Sequence, residues 1–220
     1  MRRPLTLLFA LCGWLGASPA AEATEARSSL PSVWARYALI RRGARVEHLV
    51  VVRSGDRVEH RYLERAETDL WERDRRGEVE HVQIYPKEKR AVHFTPGDLR
   101  TIAMTPHWDG LTGLVSDKER AALGRRGTTA SLGGRRAIVH HGTLRGQPAR
   151  LAWLADLALP ANLTLGRGAT RVELRLVELQ DCSGKRCAET TREDLRVLEF
   201  ADLGDMEHDP FARRFLHSAH

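Results

Sequence analysis

The chain has 220 residues, 42% of them hydrophobic, 29% charged and only 6% aromatic, with a formal net charge of +6. This mixture excludes collagen-like, low-complexity and strongly disordered classes. The length suits one domain with an aliphatic core. A pI near 9.7 invites a nucleic-acid reading, which the N-terminus undoes.

Met1-Arg2-Arg3 is a short positive segment, Leu5 to Gly16 is an apolar run, and Ala17 to Ala21 supplies small residues. Positive, apolar, small is the layout of a secretory signal peptide, with cleavage expected after Ala20. The apolar run is too short for a membrane-spanning helix of about twenty residues. The expectation is export to the periplasm, with residues 1–20 removed and residues 21–220 forming a single β-rich domain. Removal takes Arg2, Arg3 and Cys12, leaving 33 basic residues against 29 acidic ones. Arginines and acids read as alternating along the chain, which implies a salt-bridged surface rather than an electrostatic stripe and no nucleic-acid partner.

The first half of the chain predicts strand after strand. Val46–Val52 is rich in β-branched residues and is followed by the turn Ser54-Gly55-Asp56. Arg57–Glu64, Leu70–Arg73, Val79–Tyr85 and Arg90–Phe94 complete an antiparallel meander that Pro96-Gly97-Asp98 ends. Residues 103–134 predict turns and a short helix, opened by the capping box Ser116 to Glu119, with Gly127–Gly134 as a mobile loop. Strands return at Arg136–His141, Pro148–Leu154, Leu163–Leu165 and Arg171–Leu179. In the last of these, Val172, Leu174 and Leu176 alternate with charged residues. Asp209-Pro210 predicts the start of a C-terminal helix with Phe211, Phe215 and Leu216 on its apolar side. The resulting fold class is mainly β (α+β): about ten strands in one curved antiparallel sheet or incomplete barrel, with a helical lid insertion and a short C-terminal helix.

Cys182 and Cys187 remain after cleavage, and an even pair in an exported protein reads as a disulfide pinning a turn. Redox catalysis is the alternative, but it favours Cys-x-x-Cys at a helix start. No G-x-S-x-G elbow, H-E-x-x-H or phosphate-binding loop is present. Val-Glu-His recurs at 46–48, 58–60 and 79–81, so His48, His60 and His81 would converge as a metal site if their strands lay in register. The simpler expectation is a half-wet sheet face with no metal and no cofactor. The acidic stretch Asp202–Asp209 reads as an exposed turn placing acids at a helix N-terminus.

Three segments carry a resemblance: W-x-R-D-x-x-G at Trp71–Gly77, P-x-x-K-x-x-x-x-F-T-P-G-D-L at Pro86–Leu99, and L-A-W-L-A-D-L-A-L-P at Leu151–Pro160. In layout the chain resembles the periplasmic lipoprotein carriers of the LolA/LolB type and the N-terminal domain of RseB-type envelope-stress regulators. The resemblance implies a strongly curved incomplete barrel with a helical lid over an apolar cavity. It does not align a functional arginine or a protruding apolar loop, and the segment Ser28–Tyr37, interrupted by Pro31, is short for the opening amphipathic helix usual in the carriers. The functional expectation is a non-enzymatic periplasmic protein holding a lipid, lipoprotein or other apolar ligand. Val50, Val52, Trp71, Trp153, Val172, Leu174 and Leu176 are the candidate inward residues. Two alternatives stand beside it: an envelope regulator that binds a protein partner through residues 103–134 or the acidic tail, and a metal-handling protein.

Overall fold

A computed structural model describes residues 30–130, 134–182, 187 and 189–218; the expected signal peptide and the spacer Ser183–Arg186 lie outside them. Twelve strands form one sheet: β1 (Val33–Arg41), β2 (Glu47–Ser54), β3 (Arg57–Tyr62), β4 (Glu67–Arg73), β5 (Val79–Tyr85), β6 (Arg90–Phe94), β7 (Gly124–Ala130), β8 (Arg136–Leu144), β9 (Gln147–Leu154), β10 (Leu159–Leu165), β11 (Val172–Asp181) and β12 (Arg196–Glu199). Their order across the sheet is β12-β6-β5-β4-β3-β2-β1-β11-β10-β9-β8-β7. The ends do not meet, so the sheet is open rather than a closed barrel. Two meanders, β2 to β6 and β7 to β11, flank β1, which pairs antiparallel with β2 on one side and β11 on the other.

The meander of the first half follows the expected strands, with Val79–Tyr85 and Arg90–Phe94 observed as read. Three features differ. Residues 33–41 form β1, because VWARYALIR alternates buried Val33, Ala35 and Tyr37 with less buried neighbours. The expected loop at 127–134 begins instead inside β7, an edge strand of small and β-branched residues with a bulge between Arg125 and Gly127. Gly127 takes a positive φ of 135° there. The sheet is also not purely antiparallel: β12 pairs parallel to β6 after a long return across the sheet.

Four short helices accompany the sheet: α1 (Pro96–Thr101), α2 (Trp108–Gly113), α3 (Asp117–Ala121) and α4 (Pro210–Ser218). Pro96-Gly97-Asp98 thus opens a helix, capped where the Asp98 amide donates to the Thr95 hydroxyl. The expected box at α3 is present, with the Ser116 amide donating to Glu119 at 2.8 Å and the Glu119 amide to Ser116 Oγ at 3.2 Å. Asp209 caps α4, accepting from the amides of Phe211 and Ala212.

Side chains alternate across the sheet, and each face has its own cover. On one face Tyr37, Val51, Val58, Trp71, Val92 and Phe94 form a core with Leu99 of α1 and Phe211 and Phe215 of α4. On the opposite face Leu70, Val82, Ile84 and Ala91 pack under Leu195, while Val50 and Val52 pack with Trp34 and the Cys182–Cys187 disulfide, whose Cα atoms are 5.4 Å apart. The return from β11 to β12 therefore acts as a strap over this second face. Glu59 ties it down. Its carboxylate, fully buried, accepts from the Thr190 hydroxyl at 2.7 Å and amide at 3.1 Å. Arg57 and Arg61 donate to the same carboxylate at 2.8 and 2.7 Å, and Arg57 also reaches the Thr190 carbonyl at 2.9 Å.

Burial alone pushes the Glu59 carboxyl up, but the hydrogen bonds from Arg57 and Thr190 and the charge of Arg61 hold it below the usual carboxylate range. Its contribution to stability is therefore present at neutral pH and lost as pH falls through the folded-state value. Removing the carboxylate leaves two arginines and a strap without their anchor. Glu59→Ala is expected to lower the urea unfolding free energy at pH 7 by about 3–5 kcal/mol. The gap between wild type and Glu59→Gln is expected to shrink as pH is lowered below about 4.5.

Candidate functional site

The helix-bearing face is apolar with a few polar groups set into it. Leu49, Val51 and Arg53 alternate on β2, so Arg53 enters this face as a buried cation. Its Nε donates to the Pro31 carbonyl at 3.1 Å, Nη1 to the Thr112 carbonyl at 3.0 Å, and Nη2 to the Leu157 carbonyl. One guanidinium thus gathers the segment before β1, the end of α2 and the β9–β10 turn, a task suited to its rigid fork of donors. Burial draws the Arg53 pKa down to about 10, against the pull of neighbouring Tyr37, so the group stays cationic at neutral pH. Desolvation pushes the Tyr37 phenol far up, and its hydroxyl has no partner among the described residues.

Next to Arg53 along the sheet lies a buried polar cluster. His60 of β3 sits opposite Asp69 of β4, and His60 Nε2 lies 2.8 Å from the Leu111 carbonyl of α2. His81 of β5 meets Asp69 Oδ1 at 3.0 Å. The His81 ring is stacked on Trp71, with centroids 3.8 Å apart and planes 8° apart, and faces Phe94 on its other side at 5.2 Å. Burial lowers the His60 pKa, and the hydrogen bond to the Leu111 carbonyl and nearby Asp69 oppose the shift only in part.

Beyond Phe94 the aromatics continue. Phe94 stacks on Phe200 at 4.7 Å, and Tyr85 meets Phe211 edge-on at 5.2 Å. Phe215 contacts Tyr85 and Phe94 at 6.1 and 6.2 Å. Five aromatics, Tyr85, Phe94, Phe200, Phe211 and Phe215, are therefore gathered where α4 closes the sheet. Arg90 pairs with Asp209 at 2.6 Å and Arg214 with Glu88 at 3.2 Å, holding the start and the middle of that helix.

Larger grooves open at the rim. One of about 690 Å³ lies between the β2–β3 and β4–β5 turns and the start of α2, lined by Leu30, Val79, His107 and Trp108 among others. Arg73 stacks over Trp108 at 4.6 Å there and pairs with Asp56 at 2.6 Å.

The candidate inward residues do not form one cluster. Trp71 and Leu176 are in the main core, Trp153 belongs to a second cluster with Leu151 and Leu163, and Leu174 packs against both. Val172 is half-buried at the start of β11. Val50 and Val52 face away, against the disulfide, because Leu49 and Val51 are the β2 residues paired with Tyr62 and His60. That one-residue alternation also separates the histidines. His60 and His81 share the helix-bearing face, whereas His48 points to the other and meets Glu64 at 2.7 Å. Among the described residues no group of three His, Cys, Asp or Glu is placed to hold a metal. Arg53, Tyr37 and Asp69 were not singled out from sequence. A charged residue at the inward step of an otherwise apolar strand was the signal available for Arg53.

No family model matches the chain, and no curated protein matches it. Among solved structures it is similar to PNGF-II in its P21 crystal form, at 9% identity and TM-score 0.46, over 80% of this chain and 33% of that one. It is also similar to MucB, at 16% identity and TM-score 0.41, over 76% of this chain and 60% of that one. A third similarity is to the MucA/MucB complex of Pseudomonas aeruginosa, at 17% identity and TM-score 0.36, over 68% of this chain and 51% of that one. The chain thus spans about a third of PNGF-II and less than two thirds of MucB. The mainly β fold expected from sequence is the fold observed: one open sheet accompanied by short helices.

His60 is buried with a lowered pKa, so the folded state resists its protonation and stability falls as pH drops below the unfolded-state value near 6.5. Between pH 7 and 5 the wild-type unfolding free energy is expected to fall by up to about 1.4 kcal/mol per pH unit from this one proton. His60→Gln, followed by urea denaturation at each pH, is expected to flatten that slope.

Proposed function

We propose that residues 21–220 act as an exported periplasmic binding protein, non-enzymatic, that takes an apolar ligand on the helix-bearing face, with α4 as a displaceable cover. The ligand class is a lipid or the acyl chain of a lipoprotein. The observation that carries this reading is the aromatic pocket formed by Tyr85, Phe94 and Phe200 and filled by Phe211 and Phe215 of α4.

The energetics favour exchange. A nine-residue helix is marginal in water by itself, so α4 depends on its docking. Its two phenylalanines are worth about 3–6 kcal/mol when buried. An acyl chain of about a dozen methylenes has about 10 kcal/mol to offer the same surface at about 0.8 kcal/mol per CH₂. The buried histidines of this face have structural partners: His60 is engaged by the Leu111 carbonyl of α2 and His81 by Asp69. This supports a binding role over a catalytic one.

Asp209→Ala removes both the cap of α4 and the partner of Arg90 and is expected to loosen the cover by about 1 kcal/mol. In the full chain a fluorescent fatty-acid probe is expected to bind several-fold more tightly to Asp209→Ala than to wild type. Native mass spectrometry is expected to show a lipid adduct. If the folded wild type and the folded variant both stay bare and leave the probe's emission unchanged, the reading is wrong.

A further inference from the structure

The charges do not interleave as the overall composition suggests. Residues 118–171 hold ten Lys and Arg against two acids, whereas residues 21–117 and 172–220 together hold 23 against 27. The fold turns this bias in sequence into a surface, because residues 124–165 supply β7 to β10, one end of the sheet. Elsewhere many arginines are matched, as in Arg36–Glu178, Arg73–Asp56 and Arg192–Glu72, and within this segment Arg120, Arg135, Arg145 and Arg171 pair with Asp117, Asp156, Glu119 and Glu173. At this end Arg125, Arg126, Arg136 and Arg150 are exposed, and no ion pair joins them to an acid among the described residues.

The same end carries an open strand edge. Among the described residues β7 is bonded to β8 alone. Arg125, Thr128, Arg136 and Ile138 line a groove of about 450 Å³ beside it, together with Arg135 and Asp156, which pair with each other and leave Arg125 and Arg136 as its unmatched charges among the described residues. Thr128 sits opposite Ile138, and Arg125 opposite His140, so the groove runs along one face of the hairpin. Burial lowers the His140 pKa, a hydrogen bond with the Leu123 backbone opposes this, and the charges of Arg120 and Arg125 lower it again. An arginine-lined edge repels a second copy of itself, which is how edge strands are kept from self-association. It leaves the edge open to a strand of opposite charge.

We infer that the β7 edge is a docking site for an extended acidic segment of a partner protein, which adds as a further strand beside Gly124–Thr129. Backbone hydrogen bonds to β7 would give affinity, and alternate side chains would give selectivity. Acids on one face of the added strand would meet Arg125 and Arg136, and apolar residues beside them would meet Ile138. The open edge favours a peptide over an anionic lipid or polymer, because only another backbone can pair with both the N–H and C=O groups of β7. This site is at the opposite end of the sheet from the α4 pocket and does not rest on the acyl-binding reading.

The test uses the full chain and a labelled ten-residue peptide of alternating Glu and Val, read by fluorescence anisotropy. Binding is expected to weaken at least tenfold between low and high salt, since exposed charges are screened. The Lys/Val peptide is expected not to bind. An otherwise identical Glu/Val peptide, N-methylated at every second residue, is expected to bind at least tenfold more weakly, because it keeps the charge but loses strand pairing. Arg125→Glu with Arg136→Glu is expected to abolish binding, and the milder Arg136→Gln to weaken it, both with unchanged thermal unfolding. Arg213→Glu on α4 is expected to leave it unaltered. Absence of Glu/Val binding to wild type overturns the proposal. Equal binding of the N-methylated peptide overturns it too, because charge alone would then suffice. So does capture by vesicles of anionic phospholipid under conditions where the peptide fails to bind.

Discussion

An open sheet of twelve strands presents two faces, and wherever both are apolar the chain must cover both itself. Everything else in this structure follows from how it meets that constraint. One face is covered by four short helices, the other by the strap that returns from β11 to β12 and by the disulfide at the strap's start. None of these covers is a continuous layer, and the helix ends, turns and strap between the short helices are irregular. Those irregular stretches bring backbone carbonyls and amides against an apolar sheet, where an unmatched polar group is costly.

Buried ions solve that problem on each face. Arg53 gives its donors to three carbonyls from separate segments above the helix-bearing face. Glu59 accepts from the strap's Thr190 on the other. The two lie on adjacent strands, with Arg53 paired to Val58 and Glu59 to Val52, so neighbouring positions of one β-ladder anchor both covers. A lone buried charge would destabilise the fold; these are compatible with it because Arg53 has its carbonyls and Glu59 its two arginines. Such anchors add specificity of placement more than stability, whereas α4 is held by aromatic contacts and by two ion pairs that are partly open to solvent, with no fully buried charge. That contrast is the physical reason to regard α4, rather than α2 or the strap, as the exchangeable cover.

The ends of the sheet differ as much as the faces. At the β12 end the segments are acidic and ion-paired, with His93 between Glu80 and Glu199. At the β7 end the arginines outnumber their acids. A sheet that is open can be extended, and the charge at an edge decides by what. An apolar pocket under α4 and a cationic edge at β7 would let one scaffold hold two unlike ligands.

The sequence by itself determined the local elements. Alternation located most strands, Ser116 with Glu119 and Asp209 with Pro210 located two helix starts, and the cysteine pair located the bridge, because each of these signals lies within a few residues. Alternation failed where it was masked by other cues: at β1, behind Pro31, and at β7, whose glycines read as a loop. Only the tertiary structure decided which faces and which strands meet. His48, His60 and His81 repeat in sequence yet divide between two faces, since a single residue of register sends a side chain to the opposite side. Val50 and Val52 are apolar and buried as expected, but they pack under the strap rather than under the helices. Arg53 and Glu59 find their partners up to 104 and 131 residues away. A covering segment's choice of anchor depends on where the whole sheet has carried it, and no local pattern in the chain records that.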